Sequence, residues 1–410
     1  MNALLKNRQI LYLFLCSFAV LYVGMGLFPI LPIYAAQFGA SNSVIGLYFS
    51  MMYVANAMGP VIITWLTGRV SRKKLFITAG LSGIPALALM GAVTSFWQVI
   101  VLTSVLWFAG GLCITLVSIL AGQQTNTANR GKAFSLLSMA APLGALAGGA
   151  TIGPLVSWQG YPTMFMVLSV VWTAIPLIGL IGLLRLEDQS SVLSTNRAAQ
   201  PAKPNRPSMK FNRDYYWLLV VSLLTAMAVN ISRLAAPISM QSLAFTPADV
   251  SVANMISGLA AIPVILAVGT LADRLGRKHF LTTGILLALA GSLLLVNASQ
   301  IWQFWLAAML QLLAFSVNGA MGQALSTEIV TVENQGKGIS WLNTTMSTAN
   351  ILCFAVGGVM IDTLGLHVVF LASAILAVIA AAALEGMVQT HSTAAKQPNF
   401  ECNLREAQCS

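Results

Sequence analysis

Twelve long apolar runs, divided by short polar joints, constrain this chain more than any other feature of its sequence. Crossing about 30 Å of hydrocarbon takes roughly 20 apolar residues when the backbone bonds to itself as an α-helix. Runs of that length lie near 9–36, 44–67, 75–94, 97–121, 133–157 and 163–186. Six more lie near 215–240, 250–272, 279–298, 301–326, 338–363 and 368–388. The first is too long, and too weakly followed by a cleavage signal, to be a removed leader, so it reads as the first crossing. Of the 410 residues, 57% are apolar and 8% charged. A globule of that composition could not cover its apolar surface and stay dissolved, so the expectation is an all-α integral membrane protein.

The charges then give a direction. Lys and Arg number 21 against 11 Asp and Glu, a balance that in a soluble chain would suggest nucleic acid. Here the basic residues fall in short clusters between apolar runs, where they set orientation instead. Lys6, Arg8, Arg69, Arg72, Lys73, Lys74, Arg130, Lys132, Arg274, Arg277, Lys278 and Lys337 fall at alternate joints. The joints 37–43, 95–96, 158–162, 241–249, 299–300 and 364–367 hold no Lys or Arg. Both termini are therefore expected in the cytoplasm, with the chain multi-pass in the cell (plasma or inner) membrane and nucleic acid excluded as a partner. Cys16, Cys113 and Cys353 sit in apolar runs and Cys402 and Cys409 in a polar tail, with no metal-ligand spacing or disulfide framework.

The chain also repeats itself at an offset of 205 residues, without gaps. TWLTGRVSRK, from Thr64, aligns with GTLADRLGRK, from Gly269, placing Leu66, Arg69, Arg72 and Lys73 on Leu271, Arg274, Arg277 and Lys278. Pro32 aligns with Pro237, Trp97-Gln98 with Trp302-Gln303, and NRGKAFS from Asn129 with NQGKGIS from Asn334. Gly153, Gly160 and Phe165 align with Gly358, Gly365 and Phe370. Each copy holds six runs, an even number, so both enter the membrane in the same sense as a parallel repeat. The expected organisation is a six-helix bundle over 1–186, a Pro/Ser/Asn-rich cytoplasmic linker over 187–214, a second bundle over 215–390, and a polar tail over 391–410.

Twelve helices in two halves, with the G-x-L-A-D-R-x-G-R-K loop after the eighth run and its weaker copy after the second, resemble the major facilitator superfamily over about residues 9–388. NRGKAFS, between the fourth and fifth runs, is typical of the same family. The resemblance implies a transporter whose loop latches the two halves, carried here by Gly269, Asp273, Arg274, Gly276, Arg277 and Lys278, and by Arg69, Arg72 and Lys73 in the first copy. That copy departs from the family at Gly68 and Ser71. Read from chemistry alone, the same residues are either topology-setting charges or groups that bind polar atoms and lipid phosphates at the cytoplasmic face.

A charge inside a crossing costs about 2.5–3.5 kcal/mol on insertion scales and marks a functional candidate. Arg233 is the one such residue among the 21 basic ones, sharing a helical face with Asn230 and Pro237. It binds an anionic or polar substrate group, or snorkels to the outer interface, or contacts Asp362. Asn343, Ser347 and Asn350 share one face of the eleventh run, Gln311, Asn318 and Gln323 lie on the tenth, and Tyr53, Asn56 and Pro60 on the second. These line a cavity or bond between helices. Gly144, Gly148, Gly149, Gly153 and Pro154 have the spacing of close helix packing. They also resemble the fifth-helix motif of the family's drug exporters, without its Gly-Gly pair shortly after the proline.

No Asp or Glu precedes Glu187, so the first half has no carboxylate to carry a proton. The fourth run holds Trp107 where many of the family's proton-coupled drug exporters hold an Arg. Asp249, Asp362 and Glu328 remain as coupling candidates, with Glu385. There is no phosphate-cradling Gly loop, metal cluster or nucleophile triad, so neither enzyme chemistry nor a cofactor is expected. The expectation is a monomeric secondary transporter working by alternating access, with a small-molecule substrate, protons as a coupling ion and contact with membrane lipid. Export of small amphipathic compounds is the first reading. Alternatives are an uptake permease or facilitator for a small anionic or neutral metabolite, and a membrane sensor on the same fold.

Overall fold

The computed structural model describes residues 8–66, 69–124, 127–182, 211–331 and 334–386. Among these the secondary structure is helical, with no strand. In chain order the helices are α1 Arg8–Leu27, α2 Leu31–Ala36, α3 Asn42–Leu66, α4 Arg72–Met90, α5 Phe96–Gln124, α6 Thr127–Ser138 and α7 Ala140–Trp172. They continue as α8 Ala174–Gly182, α9 Arg213–Ser242, α10 Pro247–Leu275, α11 Arg277–Val296, α12 Ile301–Ile329 and α13 Gln335–Glu385. Ten spans among the described residues are long and apolar enough to cross a membrane. The protein's exterior agrees: Trp158 is 80% exposed, Val61 69% and Ile181 66%, which water would penalise and lipid does not.

The expected boundaries need three corrections. The run 9–36 is broken at residues 28–30, because Pro29 and Pro32 disfavour helix before them and Pro32 suits the first turn of α2. The fifth run is divided between α6 and α7 at Met139. The joints expected at 158–162 and 364–367 are single residues inside long helices: Gly160 at φ 80° in α7 and Gly365 at φ 81° in α13. Before Gly160, Gly144 and Gly148 follow α1 from Leu21 to Gly26; after it, Ser169 donates to Ile84 O and Trp172 to Gly80 O on α4. Before Gly365, Ile351, Gly358 and Asp362 meet Ser50, Gly46 and Asn42 of α3; after it, His367 and Ser373 meet Val296 and Ser292 of α11.

Positions 205 apart adopt matching geometry. Gln98 Oε1 accepts from the Thr94 and Ser95 amides at the start of α5, and Gln303 Oε1 accepts from Ser299 and Gln300 at the start of α12. The repeated Trp-Gln pair thus supplies a side-chain cap for amides a helix leaves unbonded. Gly39 at φ 72° matches Ala244 at φ 62°, and Gly160 matches Gly365.

Glycines bring two pairs of helices from opposite halves of the sequence into backbone contact. A Cβ on Gly46 of α3 would strike Phe354 O and Gly358 of α13, and one on Gly149 or Gly153 of α7 would strike Ser251 of α10. One core of buried residues, from Leu13 to Phe370, runs through both halves.

Candidate functional site

Arg233 sits on α9 where that helix passes between two cavities, and it is the one charged residue lining either. Its guanidinium lies 4.6 Å from the ring centre of Phe28, in the turn after α1, and 5.3 Å from that of Phe315 on α12. Such contacts are worth about 0.5–2 kcal/mol each. Nη1 also donates to Asn230 Oδ1 at 3.4 Å, and Asn230 Nδ2 donates to Asn350 Oδ1 on α13 at 2.8 Å. Arg233, Asn230 and Asn350 are therefore brought together. Among the described residues no carboxylate pairs with Arg233.

Two expectations for Arg233 are corrected. It does not reach Asp362, which lies one helix end away and accepts from the Asn42 and Ser43 amides and side chains at 2.6–3.2 Å. Nor does it snorkel outward: aromatic rings hold its guanidinium inside the bundle.

The larger cavity, about 990 Å³ with its open mouth, is walled by Tyr53, Asn56 and Pro60 of α3, Trp107 and Thr115 of α5, Trp172 of α7, and Arg233 with Phe315. Asn56 Nδ2 donates to Trp107 O at 3.3 Å, tying two expected residues to this wall. The cavity ends at an aromatic cluster in which Phe354 packs on Phe28, Phe49 and Tyr53, with ring centres 5.0–6.0 Å apart. The second cavity, about 590 Å³ only when its open mouth is counted, lies among α9, α10 and α12 beneath Phe28 and Pro29.

Other expected residues lie elsewhere. Asn318 lines a separate small pocket with Ser222 and Thr225, packed on Gly284. Asn343 is exposed and Ser347 half-buried, and neither joins the Asn230–Asn350 pair. Gly144 and Gly148 pack on α1, Gly149 and Gly153 on α10, and Pro154 is exposed. Asp249 closes a capping box with Thr246 at the start of α10, and Glu328 pairs with Arg277 at 3.0 Å. None of Asp249, Asp362 and Glu328 lines either Arg233 cavity.

In the loops, Arg69 lies over Trp65, Arg277 also donates to Ala324 O, and Gly276 at φ 92° joins α10 to α11. Arg72, Lys73 and Lys278 are half-buried at the same end. Gly68, the side chains at Gly269, Asp273 and Arg274, and the tail 391–410 lie outside the described residues.

Phe28, Phe315, Phe354, Trp172 and Asn254 were missed by the sequence reading. Aromatics inside apolar runs carry no mark that separates cavity from lipid, while Asn254, a polar residue in the eighth run, was a visible signal.

The family model described as Major Facilitator Superfamily matches residues 13–235 and 218–401. The multidrug resistance protein MdtG of Enterobacter lignolyticus (strain SCF1) is 25% identical over 359 residues, covering 84% of each chain. MdtG of Salmonella typhimurium (strain LT2) is 26% identical over 362 residues, covering 84% of this chain and 87% of that one. Among solved structures, the nucleoside transporter NupG superposes with a TM-score of 0.71 at 16% identity, covering 92% of this chain and 98% of its own. A peptide transporter POT in complex with sulfate gives 0.71 at 13% identity, covering 93% and 95%.

Proposed function

The chain belongs to the Major Facilitator Superfamily, and from that premise we propose that it exports small amphipathic compounds by alternating access. It is a multi-pass membrane transporter and not an enzyme. Breaks at Gly160 and Gly365 divide two of the ten long spans, which supports twelve crossings in two six-helix halves, 1–186 and 215–390, joined by the linker 187–214. An even number of crossings would put both termini on one side of the cell (inner) membrane, and the basic joints support the cytoplasmic one.

The observation that carries the reading is Arg233, without a carboxylate partner among the described residues, in an aromatic-walled cavity between the halves. Trp107, Trp172 and Tyr53 offer flat apolar surface, and Arg233 offers donors to an anionic or neutral polar group. Relatives that are multidrug resistance proteins support the export direction. The Asn42/Asp362 end is packed shut by Gly46 on Gly358, while Asn343 and Trp341 on the far stretch of α13 are exposed. Closure at that end fits a site reached from the cytoplasmic side. Asp362 is the one carboxylate among the described residues that bonds across the halves, so protonation there would free α3 and link a proton to opening.

Reconstituted in proteoliposomes, the protein should drive flux of anionic or neutral aromatic compounds, and Arg233→Ala should lower it about 10- to 150-fold, the worth of a charged hydrogen bond. Unchanged flux would rule out Arg233 as a substrate contact. A second reading, facilitated uptake of a small anion, is favoured by the lack of any carboxylate lining the cavities. Substrate flux without proton movement across the liposome would establish it.

A further inference from the structure

The proline that breaks the first crossing leaves a carbonyl without its amide. In an unbroken helix Met25 O would accept from the N–H of residue 29, and Pro29 has none. The next amides are spent elsewhere: Phe28 N–H donates to Gly24 O at 3.1 Å and Ile30 N–H to Leu27 O at 2.9 Å. The missing donor comes from the other half of the chain. Asn254 on α10, half-buried, donates from Nδ2 to Met25 O at 3.0 Å and to Ala145 O on α7 at 3.3 Å. Both acceptors are carbonyls, so the nitrogen faces them and both of its protons are used.

The internal repeat shows that the proline and the amide go together. At the offset of 205 residues, Pro29 aligns with Leu234 and Asn254 with Phe49. α9 keeps its N–H at Leu234, so no amide is missing there, and position 49 carries a ring that packs on Phe28 and Phe354 instead of a donor.

Met25 lies one turn before Phe28, and Phe28 and Arg233 are the two residues that line both cavities. The Phe28 ring covers the guanidinium at 4.6 Å and packs on Phe49 and Phe354, about two turns from Asn42 and Asp362.

We propose that Asn254 is a cross-half positioning residue for transport. It ties the broken end of α1, with α7 beside it, to α10, holds Phe28 over Arg233, and keeps the Asn42/Asp362 end closed. When the halves part there, Met25 O loses its donor inside the membrane, and that cost sets how often the end opens. The proposal rests on the alternating-access reading and adds the residue that sets its balance.

The test uses the purified full-length protein carrying Ala236→Cys, one turn beyond Arg233 on the wall of the cavity that Phe28 roofs. Alkylation of that thiol by iodoacetamide is followed by peptide mass spectrometry. Asn254→Leu, close in volume and without a donor, should speed alkylation roughly 10- to 100-fold. Pro29→Ala supplies an N–H in reach of Met25 O, so in that background Asn254→Leu should speed it by no more than about fivefold.

Equal acceleration with and without Pro29→Ala would overturn the tie, because lost packing alone would give it. An unchanged rate in folded Asn254→Leu would overturn it as well. If Asn254→Leu fails to fold, adding Pro29→Ala should restore the fold, and continued failure would count against the tie. A thiol at 236 that stays unreactive in every variant would bring down the opening of this end, and the alternating-access reading with it.

Discussion

A guanidinium within an apolar span costs about 2.5–3.5 kcal/mol, and what Arg233 receives in return is modest. Two ring faces and one long hydrogen bond leave most of its five N–H donors free. Arg233→Lys keeps the charge but loses the planar fork that lies on Phe28, so flux should fall while the amount of folded protein holds. Size-exclusion profiles beside flux measurements would separate the two effects. Ala244 carries a different strain: at φ 62° it occupies the left-handed region that Gly39, its counterpart 205 residues earlier, enters freely. Ala244→Gly should stabilise the protein by up to about 1 kcal/mol. The readout is a rise in Tm of the purified protein with transport unchanged.

Small residues and a carboxylate are among the devices by which helices meet across the halves. Asp362 takes four hydrogen bonds at the start of α3, two of them from backbone amides, where the helix dipole favours negative charge. Asp362→Asn removes that charge, and hydrogen exchange at the Asn42 and Ser43 amides should then speed up about 10- to 100-fold. The Gly149 contact admits no side chain, because its neighbours are the backbone of Ser251 and Met255. Gly149→Val should cost about 1–3 kcal/mol as overpacking. It should also expose the Asn42/Asp362 end, read as faster exchange at the same amides; unaltered exchange would separate α7 packing from that end.

Across the whole molecule, the halves match where the backbone turns and differ where the site is built. Arg233 with Asn230 and Asn350 comes from α9 and α13, while the Trp107 and Asn56 wall comes from α3 and α5. Under the proposed alternating access, a cavity assembled from both halves would change shape as they rock. Twelve crossings require epitope tags at the two ends to be reached from the cytoplasm, and a tag inserted at 364–367 to be labelled from outside intact cells. Labelling of an end tag from outside would refute the topology.

Much of this was already written in the chain. Run length gives membrane class because hydrocarbon thickness and unsatisfied backbone groups leave few solutions. The repeat marks its own turns: the glycines at 160 and 365 break α7 and α13, and Gln98 and Gln303 cap equivalent helices. Arg233 and its helical neighbour Asn230 were also visible, since an intramembrane charge identifies itself by its cost. The tertiary structure decided what surrounds them. A helix that is apolar on every side carries no stripe to show how it is rotated, so Phe28, Phe315 and Phe354 read the same facing lipid or a cavity. Only packing turned Phe28 and Phe315 onto Arg233, stacked Phe354 on Phe28, sent Asp362 to α3 instead, and left the Gln311 oxygen unpartnered, because each of these depends on rotations and approaches between helices far apart in sequence.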